Sequence, residues 1–352
     1  MAKLTFCGLR PARDDLFDWI LSLGPTAKFN LTSSGLTEPA LKDMGVDTSF
    51  EHFASEADTH ERAFAEEIAR LYHVEPENVV VTAGGTEAIF MVYSVFGAGG
   101  RALVPLPNYP AMFTVPRSLG MQVRGLSGRS RLSGAMLGLT DPNNPTGLGL
   151  DADYLDRLVR HSNRGGATVY VNETYKEFTF PGNPRTLFDG SGGIITSGTM
   201  TKFFGLGRFR VGWILADRKK ARQLHYAKWG VSGHDSEYSL WIAAQVLRRR
   251  AEFVERARQA YATNSRLVRG FLDETTGVSA ELGVAPFCLV RYEKGPASVA
   301  LARRILESAG VLVSPGDFFG APRSFRLCFT ATEATVREGL EALSGFFNRT
   351  NS

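Results

Sequence analysis

Lys202 is a lone lysine in a run of small and hydroxyl-bearing residues, Ser197-Gly198-Thr199-Met200-Thr201-Lys202-Phe203-Phe204. An ammonium group among Thr, Met and Phe is poorly solvated. Desolvation lowers a lysine pKa and frees the amine to attack a carbonyl. Eight positions on, Arg210 leads an apolar run that reads as a buried strand. A polar surface turn would hold such a lysine equally well, so its meaning depends on the other segments of the chain.

Those segments carry complementary chemistry. Gly84-Gly85-Thr86 falls between an apolar strand (79–82) and an apolar helix (87–96). Glycines there let the backbone approach a phosphate, and a helix start offers free N–H groups. That dipole contributes only about 0.3–1 kcal/mol, so a dianion needs more help, which Arg210, Thr199 and Thr201 could supply through charge-assisted hydrogen bonds. A tight loop is the other reading of a Gly-Gly-Thr turn. Asp141-Pro142-Asn143-Asn144-Pro145-Thr146-Gly147 is more specific, because prolines flanking paired asparagines make a rigid turn that displays a side-chain amide. Val169-Tyr170-Val171-Asn172-Glu173-Thr174-Tyr175 puts polar groups straight after an apolar strand.

The elements that must position these groups alternate. Strands are expected at 79–82, 102–105, 121–126, 135–139, 168–172, 193–197 and 209–215, and helices at 14–23, 61–72, 87–96 and 153–161. Such alternation predicts an α/β fold: a three-layer αβα large domain on a mostly parallel sheet covered on both faces. Ligands bind beyond the carboxyl ends of the strands in such sheets, which is where the unusual residues fall. After Asp217 the pattern changes to long helices, about 237–259 and on to 273. Short strands (287–292, 311–315, 325–329) then mix with helices (297–310, 332–347). This reads as a smaller α+β domain. The expected division is a large cofactor-binding domain at 45–270 and a small domain of 1–44 with 271–352.

Bulk properties exclude several classes. The 352 residues suffice for two cores, and 43% hydrophobic with 22% charged content is ordinary for a globular protein. A net charge of +4, from 40 basic and 36 acidic residues, argues for no nucleic-acid partner. Arg218-Lys219-Lys220 and Arg248-Arg249-Arg250 read as solvated helix faces. Three widely spaced cysteines (Cys7, Cys288, Cys328) and six histidines without ligand spacing suggest neither disulfides nor a metal site. No apolar run reaches membrane-spanning length and the start shows no signal-peptide pattern, so no membrane partner and a cytoplasmic location are expected.

Taken together, the motifs resemble the class I/II aminotransferase family, the fold type I enzymes dependent on pyridoxal 5′-phosphate, over roughly residues 60 to 345. The resemblance implies that Lys202 holds the cofactor aldehyde as a Schiff base and shuttles the proton between substrate Cα and cofactor. It implies that Gly85, Thr86, Thr199, Thr201 and Arg210 bind the phosphate, that Tyr109 in Pro107-Asn108-Tyr109-Pro110 stacks on the ring, and that Asn144 and Tyr175 reach the phenolic oxygen. Arg326 in Ser324-Phe325-Arg326-Leu327-Cys328 would grip the substrate α-carboxylate, and Gly35 would belong to a substrate-covering segment with Ser33 and Ser34. The implied activity is a homodimeric aminotransferase that moves an amino group between an α-amino acid and a 2-oxo acid. A β-lyase, decarboxylase or amino-acid oxidase on the same scaffold, or a non-catalytic relative, would share most of these residues.

The chain departs from that pattern twice. Asn172 stands where the family usually has an aspartate that keeps the ring nitrogen protonated. A neutral amide cannot form that ion pair, so the ring is expected to be a poorer electron sink. Glu173 is expected to point to the opposite side, since successive strand residues face opposite ways. The tyrosine that family members often send to the partner's phosphate has no counterpart in 53–60, where Ser55, Glu56 or His60 could face the pocket or lie in a solvated loop. Arg208 and Arg323 are candidates for a second substrate-binding cation.

Overall fold

A computed structural model describes residues 12–56, 60–97, 99–127, 130–179 and 184–351. Cys7 and the segment 57–59 lie outside the described residues. The large sheet has seven strands in the spatial order Val79–Thr82, Gly212–Leu215, Ile194–Thr199, Thr168–Asn172, Ala135–Thr140, Arg101–Val104 and Gln122–Gly125. All run parallel except Gly212–Leu215, which is antiparallel to both of its neighbours.

The central strands are apolar on both faces because both faces are covered. Val80, Tyr170, Ile195 and Ile214 pack against the helices Gly85–Phe96 and Arg218–Val231. On the other side Val79, Val81, Trp213 and Leu215 meet His60–Tyr72 and Glu237–Arg248, and Val169, Val171 and Ile194 meet Ala152–Gly165. This is the three-layer α/β arrangement expected.

One reversed strand has a large consequence. Every parallel strand ends at the same edge, at Thr82, Val104, Gly125, Thr140, Asn172 and Thr199. The reversed strand begins there, with Gly212 in register with both Thr82 and Thr199. The backbones are so close that a Cβ on Gly212 would lie 2.8 Å from the Gly84 carbonyl carbon and 2.9 Å from the Gly198 oxygen.

A second, antiparallel sheet has the order Ser314–Pro315, Ser324–Cys328, Phe287–Tyr292, Val278–Ser279. It packs with Ser298–Ala309 and Glu333–Asn351 around a core that includes Val290, Leu301, Phe325 and Leu340. The N-terminal strand Phe29–Asn30 pairs in parallel with Val311–Leu312. The expected single strand at 311–315 is therefore two short ones with different partners.

Two other expectations are corrected. The two helical stretches expected after 237 divide about ten residues earlier than expected, into Glu237–Arg248 and Arg250–Glu274. The chain turns at Arg249 while Arg248 pairs with Glu67 (2.7 Å) and Arg250 with Glu177 (2.8 Å), tertiary pairings invisible to local periodicity. Of the helix Arg218–Val231 only the solvated face at 218–220 was expected and not its extent, because only Ala221, Leu224 and Lys228 give it a buried stripe. Its signal was Asp217, whose carboxylate accepts from the backbone N–H groups of Lys219 and Lys220. Among the described residues no helix is long and apolar enough to cross a membrane.

Gly212→Ala is expected to lower unfolding free energy by about 1–3 kcal/mol, the usual cost of forcing an atom into a closed space. Gly230→Ala, in a helix with nothing within 4 Å of the added Cβ, should instead raise it by up to about 1 kcal/mol. Paired urea melts check both signs.

Candidate active site

The loops leaving the convergent edge enclose a cavity of about 440 Å³. Lining it are Gly85, Thr86, Tyr109, Asn144, Asn172, Tyr175, Thr199, Thr201, Lys202, Arg210 and Arg326, eleven of the twelve residues singled out from sequence. The twelfth, Gly35, does not line the cavity. It packs on Lys202 instead, where a Cβ would meet the lysine Cδ at 3.1 Å.

Lys202 sits in the excursion between Ile194–Thr199 and Gly212–Leu215. This loop is held locally: Met200 N–H donates to Val211 O (3.0 Å), and Thr199 Oγ1 donates to the same carbonyl (2.9 Å). From the far side Leu36 N–H donates to Lys202 O (2.8 Å). Burial, reinforced by the positive charges of Arg326 and Arg210, brings the Lys202 pKa down to about 8. The amine is thus available unprotonated about two units below an ordinary lysine.

Beside it lies a cradle for an anion. The helix Gly85–Phe96 begins two residues earlier than expected, so Gly85 is its first residue and Gly84 its cap. Gly84 has φ of 88°, and a Cβ there would come within 2.7 Å of an Arg210 Nη2. Arg210 is itself left-handed, with φ of 55°, and its guanidinium donates to Ala83 O (3.2 Å). Thr199 and Thr201 hydroxyls meet at 2.8 Å. The turn is braced from behind: Glu87 accepts from Ala83 N–H (2.5 Å), and Lys228, buried on the neighbouring helix, binds Glu87 (3.1 Å) and Asp235 (3.0 Å).

Arg326 is buried in the middle of the second sheet, not at an edge. Its Nη1 donates to Asn144 Oδ1 (2.9 Å) and its Nη2 to Thr32 O (3.0 Å). Its Nε is buried without an acceptor. Asn143 builds the proline-flanked turn, accepting from Thr146 and donating to Pro107 O and Thr140, which leaves Asn144 to face the cavity. Tyr175 donates to Ser34 Oγ (2.8 Å). Burial pushes the Tyr109 phenol up to about 12 and the Tyr175 phenol up as well.

Asn172 ends the strand Thr168–Asn172 and lines the cavity. Glu173 points away, as expected: its carboxylate accepts from Thr186 Oγ1 (2.7 Å) and Leu187 N–H (2.7 Å), and burial raises its pKa to about 7. Among the described residues, Ser55, Glu56 and His60 do not line the cavity; His60 is buried against Phe53. Arg208 is exposed beside Glu38 (3.7 Å), and Arg323 donates to Glu293 O over the Tyr292 ring, so neither serves as a second cation in the cavity.

Sequence reasoning missed the roof. The helix Asp15–Leu23 sends Leu16, Phe17 and Ile20 into the cavity wall, with Asn30 and Thr32 following, while Ser33 and Ser34, from the segment singled out in the sequence, line it as well. The available signal was its breadth of apolar surface, since Leu16 and Trp19 are buried while Phe17 stays 44% exposed.

Comparison with known proteins agrees with this architecture. Residues 30–343 match the family described as aminotransferase class I and II. A histidinol-phosphate aminotransferase of Caldanaerobacter subterraneus subsp. tengcongensis is 25% identical over 331 residues, covering 87% of this chain and 88% of that protein. A PLP-dependent aminotransferase structure from Streptococcus suis superposes with a TM-score of 0.87 at 23% identity, covering 97% of this chain and 98% of the other. The structure of a PLP-dependent cyclase, OrfR, superposes with a TM-score of 0.82 at 23% identity, covering 97% and 99%.

The reactivity of Lys202 in cofactor-free protein toward an amine-directed reagent, followed by peptide mapping, should be half-maximal near pH 8. Because Arg326 disfavours the ammonium, Arg326→Gln should move that midpoint upward.

Proposed function

Because the chain belongs to the class I and II aminotransferase family, a family of pyridoxal 5′-phosphate enzymes, we propose that it moves an amino group between an α-amino acid and a 2-oxo acid with Lys202 as its reacting amine. The observation that carries this is the cation set. Lys202, Arg210 and Arg326 face one cavity, and among the described residues no carboxylate lines it. Such a site needs anionic guests, and a phosphate dianion with a substrate carboxylate supplies them.

The residues present fit the cofactor. The Gly84 cradle, which a Cβ would fill, sits at the first N–H groups of a helix with Arg210, Thr199 and Thr201 around it. Gly85, Thr86, Thr199, Thr201 and Arg210 would hold the phosphate, Tyr109 would cover the ring, and Asn144 with Tyr175 would reach its phenolic oxygen. When bound, the cofactor supplies the aldehyde and the electron-withdrawing ring on which amino-group exchange depends. Lys202 would attach at that aldehyde and, once displaced by substrate, carry a proton from Cα. Its depressed pKa suits both tasks near neutral pH. Arg326, held by Asn144 and Thr32 with its Nε buried and unpartnered, would meet the substrate carboxylate.

The same reading divides the chain into 45–270, which contains the whole seven-stranded sheet, and 1–44 with 271–352, which contains the four-stranded one. Family membership supports a homodimer. The buried thiols Cys288 and Cys328 are in keeping with the reducing cytoplasm we assign. A second reading, another reaction type on the same scaffold, is favoured by one observation: Asn172 replaces a carboxylate at the cavity floor. Release of ammonia or carbon dioxide without a 2-oxo acid acceptor would select it.

Borohydride reduction of the holoenzyme should fix the cofactor to Lys202, and Lys202→Ala should abolish both labelling and exchange. Mixing the protein with a panel of amino acids should convert the cofactor absorption to that of its amine form; no response to any would refute transamination. Arg326→Gln should raise KM for the amino acid about ten- to hundredfold, the worth of a hydrogen bond to a charged group.

A further inference from the structure

The amide of Asn172 has a fixed orientation. Its Oδ1 accepts the backbone N–H of Thr174 at 3.0 Å. Turned the other way, the side chain would set its NH2 against that N–H, donor to donor. The side chain is 4% exposed and lines the cavity, and among the described residues its Nδ2 has no protein acceptor. The floor of the cavity at the end of the central strand is therefore a hydrogen-bond donor.

Among the described residues no acidic side chain lines the cavity beside it. Glu173 points away and is bound by Thr186 and Leu187. Asp141, on the adjacent strand end, is held by Leu150 N–H (2.8 Å) and Lys176. Glu87, on the helix packed against this face, is bound by Ala83 and Lys228, and Asp14 caps the roof helix at Leu16 and Phe17. The charged side chains that do line the cavity are Lys202, Arg210 and Arg326.

From this geometry we propose that Asn172 donates a hydrogen bond to the pyridine nitrogen of the bound cofactor and keeps that nitrogen unprotonated. A protonated ring would present N–H to the Asn172 NH2, with no carboxylate among the described residues lining the cavity and two arginines, Arg210 and Arg326, lining it too. An unprotonated ring presents a lone pair to a waiting donor. The ring then withdraws electrons less strongly, and loss of the Cα proton depends more on Lys202 as base. This inference rests on the cofactor seating proposed above, with the aldehyde at Lys202.

The test uses holoenzyme carrying pyridoxal phosphate labelled with 15N in the ring. In the wild-type protein the 15N resonance should hold the neutral-pyridine position at neutral pH. Asn172→Asp is isosteric, keeps an acceptor for Thr174 N–H and adds a carboxylate. It should raise the ring pKa by about 1–3 units and move the resonance toward the pyridinium position. A pyridinium resonance in the wild type, or the same resonance in both proteins, overturns the inference. Should the aspartate variant fail to fold, the wild type can be loaded with 1-deazapyridoxal phosphate, whose ring lacks the acceptor. Dissociation about two- to tenfold faster than for the natural cofactor supports the hydrogen bond, and equal retention overturns it. Borohydride labelling reports the seating separately. An unlabelled Lys202 refutes the proposed function together with this inference, whereas a labelled Lys202 with a pyridinium signal refutes this inference alone.

Discussion

Unbalanced positive charge is the constraint on which the site depends. A lysine and two arginines share one enclosure, and no acid among the described residues answers them from within it. Gathering like charges is costly unless something compensates, and the compensation differs for each, Arg326 being buried and Arg210 exposed to solvent. Lys202 sheds its proton easily. Arg210 leans on the Ala83 carbonyl, and Arg326 on Asn144 and Thr32 while one of its nitrogens goes without. The remaining cost is met when an anion binds, so the emptied site is the less comfortable state and guest and protein stabilise one another.

The sheet converts this constraint into geometry. Six parallel strands deliver their following loops to one edge, and the reversed strand starts from the same place. Residues as distant in sequence as Thr86, Asn144, Lys202 and Arg326 therefore meet. The edge tolerates little extra bulk: glycines at 84 and 212 leave no room for a methyl group. The N-terminal segment closes the other side. Leu36 binds the Lys202 carbonyl, Thr32 binds Arg326, and Ser34 binds Tyr175. The contacts that complete the site thus come from both ends of the chain.

Much of this was legible in the residues and some was not. Lys202 could be singled out because hydroxyl and apolar neighbours around one amine are unusual, and Asn144 because two prolines force its turn. The orientation of Glu173 followed from strand alternation alone. What failed were features that only tertiary partners determine: the break at Arg249, set by pairings with Glu67 and Glu177, and the sparsely apolar helix Arg218–Val231. The roof helix Asp15–Leu23 was read correctly as a helix, but its use of Leu16, Phe17 and Ile20 as cavity wall was not, since periodicity tells which face is apolar and not what it covers. Arg208 and Arg323 show the converse. Chemically suitable side chains were simply elsewhere in space.

The reversed strand Gly212–Leu215 has one more implication. Because it sets out from the edge where its neighbour finishes, the chain leaves the sheet at Thr199 and re-enters at Gly212 after a single small detour that carries both Lys202 and Arg210. Their separation is set by that detour's length, with Leu36 bracing one end at the Lys202 carbonyl and Ala83 the other at the Arg210 guanidinium. An insertion between 203 and 209 would separate Lys202 from Arg210, so this short span sets the spacing of the two side chains across the cavity edge.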